Sequence, residues 1–196
     1  VFLCEKYDKN LTDVAIQIAP YFHSIVKRPQ MLLKDNKQYF IAMDISTKCV
    51  YMNFKNIMML DIDHVDLAGT PDKIEEIHAW CHSRNICCAV YKTTRGLHVF
   101  FVDRERDYKN REMIEDAITL GSDYNYVIFS YIRGWSVRLS PKEHENQEDP
   151  IYRYHGIVGH EPSLNQTLLS AVDEHFKLSH TRRGLRALFQ TTPQNY

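Results

Sequence analysis

No stretch of this chain approaches the roughly 20 apolar residues needed to cross a bilayer, and its start lacks the basic-then-apolar pattern of a secretory signal. Both absences argue against a membrane-spanning or exported protein. The first residue is not Met, and we expect the chain to be a segment of a longer protein, with room for neighbouring domains. An excess of either charge is lacking too: 24 Lys and Arg stand against 25 Asp and Glu, a formal net charge of −1. That balance excludes coating of nucleic acid by bulk charge and leaves room for a local basic groove. Cysteine is sparse and irregular, with Cys4, Cys49, Cys81, Cys87 and Cys88 odd in number and without the spacing of a disulfide framework. They read as free, mostly buried thiols of an intracellular, reducing compartment. The nearest approach to a zinc site, His78, Cys81 and His82, has no Cys-x2-Cys partner, so no zinc is expected. Internal repeats and low-complexity tracts are absent.

A length of 196 residues suits one compact catalytic unit. We expect it over residues 1–178, with 179–196 a basic and polar tail or a linker to an absent domain. Residues 12–26 have helical apolar spacing, interrupted near Pro20. From 31 to 63, short apolar runs separated by polar clusters predict an antiparallel meander whose last run leads into Asp61-Ile62-Asp63. Thr70-Pro71-Asp72 reads as a helix start, continuing to about Asn85. Residues 86–93 and 97–102 are rich in strand formers and predict a hairpin around Thr94-Arg95-Gly96. A helix follows over 108–120, stopped by Gly121, and then a second hairpin, 126–132 with 135–139, around Arg133-Gly134. A polar loop at 143–150, a strand at 152–158 and an amphipathic helix at 163–176 complete the pattern. Strands and helices in this mixture predict an α/β (α+β) fold.

Side chains two apart on a strand face the same way, so Asp61 and Asp63 project together from the end of a buried run. Adjacent carboxylates repel unless a cation lies between them, and hard oxygen donors suit Mg2+ or Mn2+. The plainer alternative makes them strand-end residues, with Asp63 or Asp66 capping the following turn. Thr93-Thr94-Arg95-Gly96-Leu97-His98 brings two hydroxyls, a guanidinium and an imidazole to a turn whose backbone amides could cradle a phosphate. As a structural feature it would be a hairpin with a half-buried histidine. Asp123 precedes the second hairpin, whose return strand carries Arg138, Ser140 and Lys142 at alternating positions on one face. Without a ligand these would be a turn residue and a solvated edge. The three clusters, each at a strand end or hairpin, argue for function more strongly together than singly.

These residues resemble the archaeo-eukaryotic primase superfamily, above all its viral, phage and plasmid primase–polymerases. The likeness rests on three ordered motifs, Met58-Met59-Leu60-Asp61-Ile62-Asp63, then Thr94-Arg95-Gly96-Leu97-His98, then Asp123 followed by Arg138, Ser140 and Lys142, and covers residues 57–142. The resemblance implies a two-layer fold with a catalytic sheet like that of an RNA-recognition motif beside an N-terminal sheet-and-helix part. It implies that Asp61, Asp63 and Asp123 hold two divalent ions, and that Thr94, Arg95, His98, Arg138, Ser140 and Lys142 grip a nucleoside triphosphate. Lys92, Arg133 and Trp135 are the expected contacts to a single-stranded DNA template. The implied reaction is template-directed primer synthesis or extension, alongside a fused or separate replicative helicase. Two rivals stay open: a sugar transferase using Asp61-x-Asp63, which leaves the RGLH turn without a task, and a non-catalytic nucleic-acid module, in which carboxylates would repel phosphates.

Overall fold

The computed structural model describes residues 11–22, 31–44, 49–63, 69–93, 95–140 and 153–179. The expectations for residues 23–26, the 143–150 loop, the tail from 180 onward, Cys4, Asp66, Thr94 and Lys142 lie outside the described residues. Within them, mixed α/β structure is built from two antiparallel four-stranded sheets and five α-helices. No described helix is long and apolar enough to cross a membrane.

The chain opens with α1 (Leu11–Ile18), which tightens into a 3-10 turn at Ala19–Phe22. The change falls beside Pro20, whose missing N–H cannot continue the α-helical ladder. Three strands of the expected meander follow: β1 (Met31–Asp35), β2 (Tyr39–Met43) and β3 (Val50–Phe54), paired in sequence order. The fourth run, β4 (Met59–Asp63), leaves the meander and joins the other sheet. Its former place beside β3 goes to β7 (Trp135–Arg138), with Phe54 opposite Trp135 and Tyr51 opposite Arg138.

The second sheet runs β4-β6-β5-β8, where β5 is Cys87–Lys92, β6 is Gly96–Phe101 and β8 is Arg153–Gly159. Helix α2 (Thr70–His82) connects β4 to β5 while β6 lies between them, a split β-α-β unit. Pro71 near the helix start needs no hydrogen-bonded N–H there, and Asp72 complements the helix dipole. One face of this sheet packs on α2, with Trp80 edge-on to Phe101 and Cys81 Sγ 3.4 Å from Cys88 Sγ. The other meets helix α5 (Gln166–Ser179) and the first sheet, where Phe54 and Phe100 stack edge to face with centroids 5.5 Å apart. Lys34 of β1 also reaches Glu174 of α5 at 3.0 Å. Cys81, Cys87 and Cys88 are buried free thiols, as expected, and burial pushes the Cys87 thiol up to about 11.

One element differs in kind from the sequence expectation. Residues 126–132 form no hairpin strand; they belong to helix α4 (Tyr124–Arg133), which follows α3 (Arg111–Thr119). Tyr, Val, Ile and Phe favour strands, yet Asp123 caps the first turn, and Val127 and Ile128 put a helical face into the core. Gly134, at φ 90°, ends the helix in a conformation open chiefly to glycine and turns the chain into β7.

Gly96 lies opposite Asp63, and a Cβ there would run into the Ile62 carbonyl. Gly96→Ala should therefore part β4 from β6 and cost roughly 2 kcal/mol or more, read as a lower urea midpoint. His175 of α5 is fully buried among Phe54, Tyr91 and Phe100, and burial first, then the charge on His98, pushes its imidazole down to about 3. The unfolded chain then binds the extra proton between about pH 6.5 and pH 3, so stability falls as pH falls through that window. One such proton gives a slope of up to about 1.4 kcal/mol per pH unit. His175→Phe should flatten that acid limb in denaturant melts taken at several pH values.

Candidate functional site

The site forms where β4 meets β6 and the start of α4. Asp61 and Asp63 stand on the face of β4 that also carries Met59, and exposure rises along it: Met59 is buried, the Asp61 side chain is 31% exposed, and Asp63 is open. His98 lies directly opposite Asp61 in register, with Nε2 3.3 Å from Asp61 Oδ1. The same cross-strand row continues through Tyr91 of β5 to Tyr154 of β8.

β4 is the last strand of its sheet, yet its backbone at Asp61 is not left unpaired. The Asp61 N–H donates to Ser122 Oγ at 3.1 Å, and the Asp61 carbonyl accepts from the Asp123 N–H at 2.6 Å. A two-residue segment thus completes the sheet edge and fixes the N-terminus of α4 beside the acids. Asp123 Oδ1 accepts from the Tyr126 N–H at 2.8 Å, the contact of a helix N-cap. Asp123 therefore joins Asp61 through the backbone, while one of its carboxylate oxygens serves the helix. The positive end of α4 offsets part of the repulsion among these acids.

Tyr126, on the first turn of α4, was not anticipated from the sequence. Its hydroxyl is enclosed, and its pKa is raised first by burial and next by the negative charge of Asp61, with Ser130 and the Ser136 backbone close enough to lower it. The phenol therefore stays protonated, within range of the Asp61 charge. The signal for it was present: Tyr124, Val127, Ile128 and Tyr131 recur at helical spacing between an Asp and a Gly.

The turn between β5 and β6 differs from the expected phosphate cradle. The amides of Arg95 and Gly96 both donate to Thr93 Oγ1, at 3.3 and 2.9 Å, so neither points outward. Among the described residues of this turn, the exposed Arg95 guanidinium is the group able to meet an anion. Arg138 and Ser140 belong to the first sheet and share no hairpin with Asp123: Arg138 faces Tyr51, and Ser140 Oγ accepts from the Val50 N–H at 3.1 Å. Ser136 and Arg138 lie on one face of β7, the strand whose backbone approaches Tyr126.

The expected template contacts separate. Trp135 is 1% exposed and is a core residue, with β7 holding it opposite Phe54, so it is not a surface for bases. Arg133 ends α4, exposed, with its guanidinium over the Phe129 ring at 5.8 Å. Lys92 is half-buried at the end of β5, opposite Leu97 on one side and Arg153 on the other. His78, Cys81 and His82 do not converge as ligands: His78 Nδ1 accepts from the Gly159 N–H, and Cys81 turns into the core toward Cys88. Among the described residues no group of three or more His, Cys, Asp or Glu side chains is arranged to hold a metal ion.

Comparison with family models, with curated proteins and with solved structures finds no match for this chain.

Proposed function

We propose that this chain is a metal-dependent nucleotidyltransferase of the primase–polymerase type, adding nucleotides from nucleoside triphosphates to a primer on a single-stranded DNA template. One observation carries the reading: Asp61 and Asp63 share a face of β4, His98 stands in register 3.3 Å from Asp61, and the start of α4 is bonded to the Asp61 backbone. The two acids, His98 and the Asp123 backbone are thus neighbours in space as well as ordered in sequence. The split β-α-β unit under the acids supports the same reading.

The donor set fits Mg2+ or Mn2+. Mg2+ characteristically keeps several waters and binds through one or two carboxylates together with substrate phosphates, so a complete protein cage is not required. Asp61 and Asp63 are the two primary donors in this proposal, and Asp123 adds the oxygen that does not cap α4. When bound, the ions would neutralise the triphosphate and lower the pKa of the attacking 3′-hydroxyl. His98 orients Asp61 and meets a phosphate oxygen. Arg95 supplies positive charge for the leaving pyrophosphate, and Thr94, Arg138, Ser140 and Lys142 are the further phosphate ligands that the resemblance implies. A sugar transferase would use the Asp pair but would leave His98, Arg95 and the α4 junction without work.

Primer extension on single-stranded DNA with Mg2+ or Mn2+ tests the reading. The parent should yield product, and Asp61→Asn with Asp63→Asn should lower the rate roughly a hundredfold or more while keeping the melting temperature. No product and no Mn2+ binding by the parent would defeat the proposal. Asp123 has a separate test, because Asn caps helices about as well as Asp whereas Ala costs about 1 kcal/mol. Asp123→Asn should retain stability and lose activity, whereas Asp123→Ala should lose both; an Asn variant as active as the parent would reduce Asp123 to a cap.

A further inference from the structure

Arg133, an expected template contact, keeps different company in the fold. Helix α4 carries Tyr126, Ser130 and Arg133 on one stripe, since residues three and four apart on a helix are neighbours. Tyr126 relates that stripe both to the acids and to β7: burial and then Asp61 raise its pKa, while Ser130, Arg133 and the Ser136 backbone lower it. Ser136 and Arg138 share a face of β7, and the pairing with β3 sets Asn53 opposite Ser136 and Tyr51 opposite Arg138. The other face of these two strands carries Met52, Phe54, Trp135 and Val137 into the core. Both guanidiniums reach Tyr51, whose pKa is raised by burial and then by Cys49 and is pulled back by Arg138 and Arg133. The polar stripe of α4 is thus turned toward the polar face of β3 and β7.

A helix laid on a sheet ordinarily buries apolar residues between the two layers. This seam is polar on both sides. Asn53 and Ser136 are only 5% and 6% exposed, and Asn53 Nδ2 is enclosed with no hydrogen-bond partner among the described residues. A buried donor left unpaired is costly to a fold, so its presence points to a group that binds here. Two guanidinium charges brought to one phenol also repel each other, and an anion taken up beside them relieves that repulsion. Phosphate suits the pair, because the planar guanidinium matches its oxygens two at a time.

We propose that Arg133, Arg138 and Asn53 hold the polyphosphate of a nucleoside triphosphate, so that Arg133 serves the substrate and not the template. Assigning the polyphosphate to a nucleotide rests on the nucleotidyltransferase reading; the anion site itself does not.

Calorimetric titration of inorganic tripolyphosphate into the chain, in EDTA and at several salt concentrations, tests the site without metal, nucleotide or catalysis. The parent should bind, and Arg133→Ala should weaken binding roughly tenfold or more, the scale of one lost charge-assisted hydrogen bond. Asn53→Leu should also weaken binding yet melt no lower than the parent, because it removes an unpaired buried donor. An amide that served only the fold would not give that pair of results. Asp61→Asn with Asp63→Asn should bind tripolyphosphate at least as tightly as the parent, two negative charges having been removed. A chain that shows this pattern and extends no primer keeps the anion site and loses only the catalytic reading. The inference is overturned if the parent does not bind, or if Arg133→Ala or Asn53→Leu binds like the parent; retained tripolyphosphate affinity in Arg133→Ala with lost affinity for a single-stranded oligodeoxythymidine would return Arg133 to the template.

Discussion

The backbone of Asp61 is pinned from both sides, and the geometry of the candidate site follows from that constraint. On one side it pairs with His98 through the β4–β6 ladder; on the other its N–H and carbonyl are taken by Ser122 and Asp123. An edge strand carrying a half-buried carboxylate would otherwise expose unpaired backbone groups next to a charge, a costly combination. Completing the edge with the start of a helix satisfies the backbone and brings a positive dipole to the acids together. It also determines where α4 points, and so where β7 re-enters the first sheet beside β3.

Much of this was legible in the sequence because it depends on local rules. Short apolar runs between polar clusters located β1 to β4, strand-forming residues located β5 and β6, and Gly96 between those runs placed the β5–β6 turn. Asp-x-Asp at a strand end fixed the common face of Asp61 and Asp63, and the hairpin register then carried His98 opposite Asp61. The illegible parts depend on contacts distant in sequence. No pattern tells β4 to leave the meander, or tells β7 to take the place beside β3, because each choice is decided by which faces bury each other. Trp135 shows the same limit: an aromatic residue suits a core and a base platform equally well, and only the pairing with Phe54 decides between them.

The misreading of residues 126–132 has a more specific cause. Tyr126-Val127-Ile128-Phe129 is a strand-forming tetrad by side-chain type, and intrinsic preference there opposes the helix. Helix wins because both ends are specified, by the Asp123 cap and by Gly134 at positive φ, and because Val127 and Ile128 bury on one side. The cap is itself held in place by the Asp61 carbonyl, so the element that sequence reading lost is the one whose formation requires the site to assemble.

The gradient of exposure along β4 gives the two acids different physical characters. Asp61, partly withdrawn from water, has its charge balanced by fixed neighbours: the His98 ring, the α4 terminus and a protonated Tyr126 phenol held close by burial. Asp63 is exposed, so water screens its charge. For the proposed chemistry this asymmetry is an advantage, since a carboxylate locked in place fixes the position of a cation while a solvated one lets its coordination change as phosphate arrives and leaves. Two equally buried acids would repel too strongly before a cation entered, and two equally exposed ones would hold it too loosely to set the geometry of an attacking hydroxyl. The strand resolves that conflict by passing from core to solvent within five residues, Met59 to Asp63.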